Sequence, residues 1–132
     1  MLFLDTSALV KRYVDEEESE EVIRLMAREQ EWSASALALP ETRITLCHLG
    51  FDDSELERLV ESLEADWDRF YTVPVDELCL AEATEIGCTQ RLRTPGAIHL
   101  AAAKRMPGPP ALLTFDERQR NAAGALGLQL AG

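Results

Sequence analysis

Two apolar patterns alternate along the chain. Short apolar runs, bounded by polar residues and lacking a helical period, occur at Leu2–Leu4, Trp32–Ala34, Thr72–Val75 and Ala111–Phe115, with a weaker fifth at Leu128–Leu130. Runs of that length predict buried strands. The segments between them carry helical spacing. Its clearest instance is the stripe Leu56, Leu59, Val60, Leu63, Trp67 and Phe70, with Asp52 and Glu55, or Ser54 and Glu57, as a capping box at its start. Further helices are predicted over Ser7–Val14, Ser19–Arg28, about Ala36–Leu49 and Asp76–Cys88. Another runs from an N-cap at Thr94, with Pro95 in the first helical position, through Lys104. The last spans about Glu117 to Leu126 and is ended by Gly127. The proline-rich stretch Pro107–Pro110 is expected to be the most mobile loop.

Strands alternating with helices imply a parallel sheet covered on both faces, a doubly wound α/β fold. The length of 132 residues suits one domain over 1–132, and the 46% hydrophobic content suits an ordinary globular core. Thirteen basic against 24 acidic residues give a net charge of −11. That surface repels nucleic acid and anionic membrane at long range, so any such contact must be local. Cys47, Cys79 and Cys88 form no Cys-x-x-Cys pair and their odd number speaks against a disulfide framework. They are expected to be small buried apolar residues. His48 and His99 stand outside zinc-ligand spacing with them. No apolar run approaches a membrane span, and the apolar start Met1–Leu4 lacks a basic flank, so a cytoplasmic protein is expected.

Three acids directly follow strands: Asp5, Asp76 and Asp116. In doubly wound folds the carboxyl ends of strands are where function gathers. The same positions suit helix N-caps, and for Asp76 capping is the favoured reading. Glu41 falls early in a helix amid small and apolar neighbours, where a buried carboxylate needs a partner. Asp5, Glu41 and Asp116 could therefore converge on one strand-end crevice. Clustered carboxylates repel unless a cation is present, and hard oxygen donors suit Mg²⁺ or Mn²⁺. Such an ion activates water and stabilises charge on a phosphodiester. It also reverses the local field of an acidic protein.

With these residues in place the sequence resembles the PIN-domain superfamily and, within it, the VapC-type toxin ribonucleases. The resemblance covers nearly the whole chain. It is carried by Leu4–Lys11, Ser35–Glu41, Val73–Asp76, Ala97–Ala103 and Leu113–Arg118, in that order and spacing. It implies a parallel sheet of order 3-2-1-4-5 and an endoribonuclease using Mg²⁺ or Mn²⁺, which leaves a 3′-hydroxyl and a 5′-phosphate. Asp5 and Asp116 become metal ligands on neighbouring strands, and Glu41 helps to hold the metal and position water. Thr114 supports the site through its hydroxyl, as does Thr6 or Ser7 beside Asp5, while Asp76 moves to the sheet edge. The resemblance further implies an RNA substrate, a small VapB-like antitoxin and a homodimer.

One position departs from the pattern. Where the family carries an aspartate before Ala97-Ile98-His99-Leu100-Ala101, this chain has Gly96, and no acid stands between Glu85 and Asp116 to replace it. Glycine in a first helical turn costs up to about 1 kcal/mol relative to alanine. Three accounts follow: a reduced one-metal nuclease, a degenerate member kept for binding an antitoxin or RNA without cleavage, or a substitution that makes a toxic protein tolerable to its host. His99, one turn after Gly96, is read first as a packed or surface histidine and second as a neighbour of the site. Among Arg43, Arg91, Arg93, Arg118 and Arg120, the flanking Arg93 and Arg118 are the best candidates for RNA phosphate contacts. The acidic run Asp15–Glu21 is read as a solvated helix start. A receiver-type phosphoacceptor would need an acid beside Asp5 and a late lysine, and a dehalogenase-like phosphatase would need a second aspartate at Ser7. A nucleotide-binding fold would need a glycine-rich loop after the first strand. None of these is present.

Overall fold

The computed structural model describes residues 1–108 and 110–132. Five parallel strands, β1 (Leu2–Leu4), β2 (Trp32–Ser35), β3 (Phe70–Val73), β4 (Ala111–Leu113) and β5 (Gln129–Leu130), pair in the order β3-β2-β1-β4-β5. β1 is central, with Leu2 opposite both Trp32 and Ala111. Among the described residues there are also seven helices: α1 (Thr6–Tyr13), α2 (Ser19–Arg28), α3 (Ala38–His48), α4 (Asp53–Trp67), α5 (Glu77–Gln90), α6 (Thr94–Arg105) and α7 (Glu117–Ala125). The expected doubly wound architecture is the one observed. Among the described residues no helix is long and apolar enough to cross a membrane.

Side chains alternate across a strand, so a strand buried on both sides feeds two cores. Leu2 and Leu4 join Leu113, Leu9, Val22, Leu46 and Leu63 on the face covered by α1 to α4. Phe3 and Leu112 join Ile86, Ile98, Leu100 and Ala123 on the face covered by α5 to α7. That is why the strands read as unbroken apolar runs. Helix α6 carries the run Ala97–Ala103 almost wholly inside, because its small side chains let it lie close to the sheet.

Several boundaries differ from expectation for identifiable reasons. Phe70, placed at the end of the helical stripe, belongs to β3, and α4 stops at Trp67. The two rings stack with centroids 5.1 Å apart, so a packing contact mimicked helical spacing. Only the Asp52 half of the expected capping box is formed toward the backbone, its carboxylate accepting from Glu55 N. Thr94 is the first helical residue of α6 rather than its cap, a place taken by Arg93 without a side-chain cap bond. Gly127 does end α7, with a φ of 73° that a side chain would strain. Cys79 is buried as expected, whereas Cys47 and Cys88 are exposed on the outer sides of their helices. The acidic run is solvated, with Lys11 bridging Glu16 and Glu18. Pro109, in the loop expected to be mobile, lies outside the described residues.

Candidate active site

Three of the strand-end acids are N-caps, and for two of them capping and a place in a site coincide. Asp5 follows β1 and accepts from Ala8 N, Asp116 follows β4 and accepts from Gln119 N, and Asp76 follows β3 and accepts from Cys79 N. Because β1 and β4 are neighbours, the first two are carried to the same rim. Asp76 sits at the end of edge strand β3, where Arg105 grips it through two nitrogens at 2.6 and 3.1 Å. It lies away from the crevice, as its capping reading requires.

A crevice of about 460 Å³ opens at this rim, lined by Asp5, Glu41 and Asp116 together with Gly96, His99 and Gln119. Asp5 forms its floor at 1% exposure. Its Oδ1 accepts from Ser7 Oγ at 2.7 Å and Ala8 N at 3.0 Å, and its Oδ2 from Thr114 Oγ1 at 2.6 Å. Burial pushes this carboxyl above its ordinary value, with His99 and the three hydrogen bonds pulling against it. Thr114 also accepts from Asp116 N, and Ser7 from Phe115 N, so the turn after β4 is stitched to the start of α1.

Glu41 enters from the first turn of α3. Its Oε1 accepts from Thr6 Oγ1 at 2.6 Å and lies 2.7 Å from His99 Nε2. Burial raises its pKa, but the bonds to His99 and Thr6 outweigh it and hold the carboxyl below its ordinary value. An ionised carboxylate can only accept, so Nε2 carries the proton toward it. On the other side of the ring Nδ1 lies 3.0 Å from Ser35 Oγ, within hydrogen-bond distance. His99 is thus both packed, at 2% exposure, and a member of the site. Of the two hydroxyls read as alternatives beside Asp5, Ser7 donates to Asp5 and Thr6 to Glu41, and Thr114 also donates to Asp5.

Loss of the imidazole would leave Ser35 and Glu41 without that partner. His99→Leu is expected to cost about 2 kcal/mol of stability, the scale of an unmade buried hydrogen bond to a charged group. Combined with Glu41→Gln the losses should be less than additive, by about 0.5–3 kcal/mol, in urea unfolding. Strict additivity would show that the two side chains are not coupled.

Around the mouth, Arg93 and Arg118 are exposed and form no ion pair among the described residues. Arg43 instead pairs with Glu64, Arg120 donates to the Thr114 carbonyl, and neither lines the crevice. Arg91 adopts a left-handed conformation at the end of α5. Gln119 and Ser35 had no signal of their own in the sequence. His99 had a weak one, its position one turn after Gly96.

The donor set decides what the crevice could hold. Among the described residues no three His, Cys, Asp or Glu side chains are grouped tightly enough to clasp an ion between them. Three carboxylates spread around one opening still match a hydrated divalent cation, since Mg²⁺ is commonly held by one or two carboxylates with several waters. The residues present therefore fit such an ion. Beside them the buried Gln119 side chain leaves its Oε1 without a hydrogen-bond partner among the described residues.

Comparison with known proteins identifies the family. The PIN-domain family profile matches residues 2–125. Over 129 residues the chain is 33% identical to ribonuclease VapC46 of Mycobacterium tuberculosis, covering 96% of this chain and 93% of that one. The chain belongs to the PIN-domain family, as a VapC-type member. Among solved structures, VapC20 of Mycobacterium tuberculosis, described as a toxin that cleaves the sarcin–ricin loop, superposes with a TM-score of 0.74 at 18% identity. It covers 92% of this chain and 95% of that one. A toxin–antitoxin complex from Klebsiella pneumoniae gives 0.68 at 14% identity, with 88% and 87% covered. These last two likenesses concern the fold.

Proposed function

We propose that this protein is an endoribonuclease toxin whose crevice binds Mg²⁺ or Mn²⁺ and hydrolyses RNA phosphodiesters. The observation that carries this reading is the meeting of Asp5, Glu41 and Asp116 around one opening at the carboxyl ends of the central strands. When bound, the cation would be held by Asp5 and Asp116, with Glu41 beside it, and would supply a water of lowered pKa and a counter-charge to the phosphate. Ser7 and Thr114 fix the Asp5 carboxylate. Thr6 and His99 hold Glu41 ionised and aimed, ready to orient a water through its second oxygen. Arg93 and Arg118 at the mouth attract the phosphate backbone that the net charge of −11 otherwise repels. A small antitoxin is the partner that the VapC relationship suggests.

A second reading keeps the fold and drops the chemistry. Gly96 contributes no carboxylate, so the chain could bind RNA or an antitoxin without cutting. Incubating the protein with a mixed RNA panel separates the two. Cleavage in Mn²⁺ that vanishes in EDTA and in Asp116→Asn supports the nuclease. RNA retention with no metal-dependent product from the unaltered chain would overturn it in favour of the binding module.

A further inference from the structure

Gly96 and Gln119 form a matched pair on the wall of the crevice. Gly96 lies in the first turn of α6 and Gln119 in the first turn of α7. A Cβ placed on Gly96 would meet Gln119 Cγ at 3.5 Å and Nε2 at 3.6 Å, and no other heavy atom is among its three nearest besides Cδ at 3.8 Å. The glutamine side chain therefore lies over the bare backbone of Gly96. It is 5% exposed, lines the same crevice as the three carboxylates, and its Oε1 has no hydrogen-bond partner. Buried amide oxygens are rarely left in that state unless a ligand or water completes them.

We propose that Gln119 is a cation-binding residue of this crevice, its amide oxygen supplying a neutral donor on the wall where Gly96 supplies none. Nε2 is the amide atom that lies 3.6 Å from the Cβ position of Gly96, and a half-turn about the soft, roughly two-fold last side-chain torsion turns the oxygen to the Gly96 side while placing Nε2 where Oε1 was buried. Hard divalent cations accept amide carbonyls as readily as carboxylates in kind, though with less charge. The surroundings select a cation over other occupants, because Asp5, Glu41 and Asp116 line the crevice while its two arginines, Arg93 and Arg118, are exposed. The proposal rests on the crevice being a cation site, and it adds a residue outside the set of acids. A Cβ at position 96 would stand in ordinary van der Waals contact with this side chain, so the two positions share one stretch of the wall.

Mn²⁺ titration calorimetry on the full chain stripped with EDTA tests this without relying on RNA cleavage. Gln119→Leu is expected to weaken Mn²⁺ binding about tenfold, the scale of supporting groups at metal sites. The metal-free melting temperature should not fall, since an unpartnered amide is removed. Gln119→Glu should tighten binding, and Gln119→Leu should cost less affinity in a Gly96→Asp background than in the unaltered chain. If Gln119→Leu does not fold, Gln119→Met keeps the length of the side chain and serves in its place. Loss of Mn²⁺ binding in Asp116→Asn with unchanged affinity in the Gln119 variants overturns this proposal and leaves the cation site standing. Absence of Mn²⁺ binding by the unaltered chain overturns both.

Discussion

Gly96→Asp should raise metal-dependent RNA cleavage by one to two orders of magnitude, about the 10- to 100-fold that individual groups around a metal carry. Local structure favours the substitution. The Cβ would sit at ordinary van der Waals distance from Gln119, with no backbone in the way. The position is in the first turn of α6, where a carboxylate complements the helix dipole and where no acidic residue stands at present. Glycine there also carries a helix-propensity cost that aspartate reduces by a few tenths of a kcal/mol. The new carboxylate would face Asp5, Glu41 and Asp116 across the crevice, so the gain should grow with Mn²⁺ concentration and the metal-free protein should lose some stability through repulsion. Initial rates across a Mn²⁺ series, compared with the unaltered chain, check this. Equal rates at saturating metal would show that position 96 has no part in the chemistry.

Asp5→Asn should do the opposite to activity and the opposite to stability, abolishing cleavage while raising the melting temperature in EDTA. The carboxyl is 1% exposed, and burial lifts its pKa above the ordinary aspartate value despite His99 and three hydrogen bonds. Between the unfolded value near 3.8 and the raised folded value, the folded chain holds a proton that the unfolded chain has released. Stability of the metal-free protein therefore falls as pH rises through that window. An amide keeps the bond from Ala8 N and can donate to Thr114, and it has no charge to bury. Each kcal/mol recovered should add about 4 °C to the melting temperature of a domain this size. Glu41 acts with the other sign. Its pKa is lowered, so its contribution is present above the unfolded value of 4.5 and disappears as pH falls through the folded one. Thermal melts from pH 4 to 8 in EDTA should show the decline in the unaltered chain and a flatter profile in Asp5→Asn. A lower melting temperature for Asp5→Asn at neutral pH would mean that its hydrogen bonds outweigh the cost of the buried charge.

The acids at the ends of β1 and β4 were legible because an aspartate directly after an apolar run needs only local pattern to be placed at a strand end. Glu41 was legible as a carboxylate in need of a partner, but the partner was not. The capping role of Asp5, Asp76 and Asp116 also follows from local rules, whereas the meeting of Asp5 and Asp116, without Asp76, in one crevice follows from the strand order.

Period and punctuation along the chain thus determined the strands, the helices, the two-faced core and the acids placed directly after strands. These signals act over a few residues, through backbone geometry and the burial of alternating side chains. Tertiary structure alone decided the rest. His99 meets Glu41 across 58 residues of sequence and Thr6 across 93, and Gln119 rests on Gly96 from a different helix. Such contacts are set by how closely α1, α3, α6 and α7 approach over the sheet. That distance depends on the summed bulk of side chains such as the alanines of α6, and no local period along the chain encodes it.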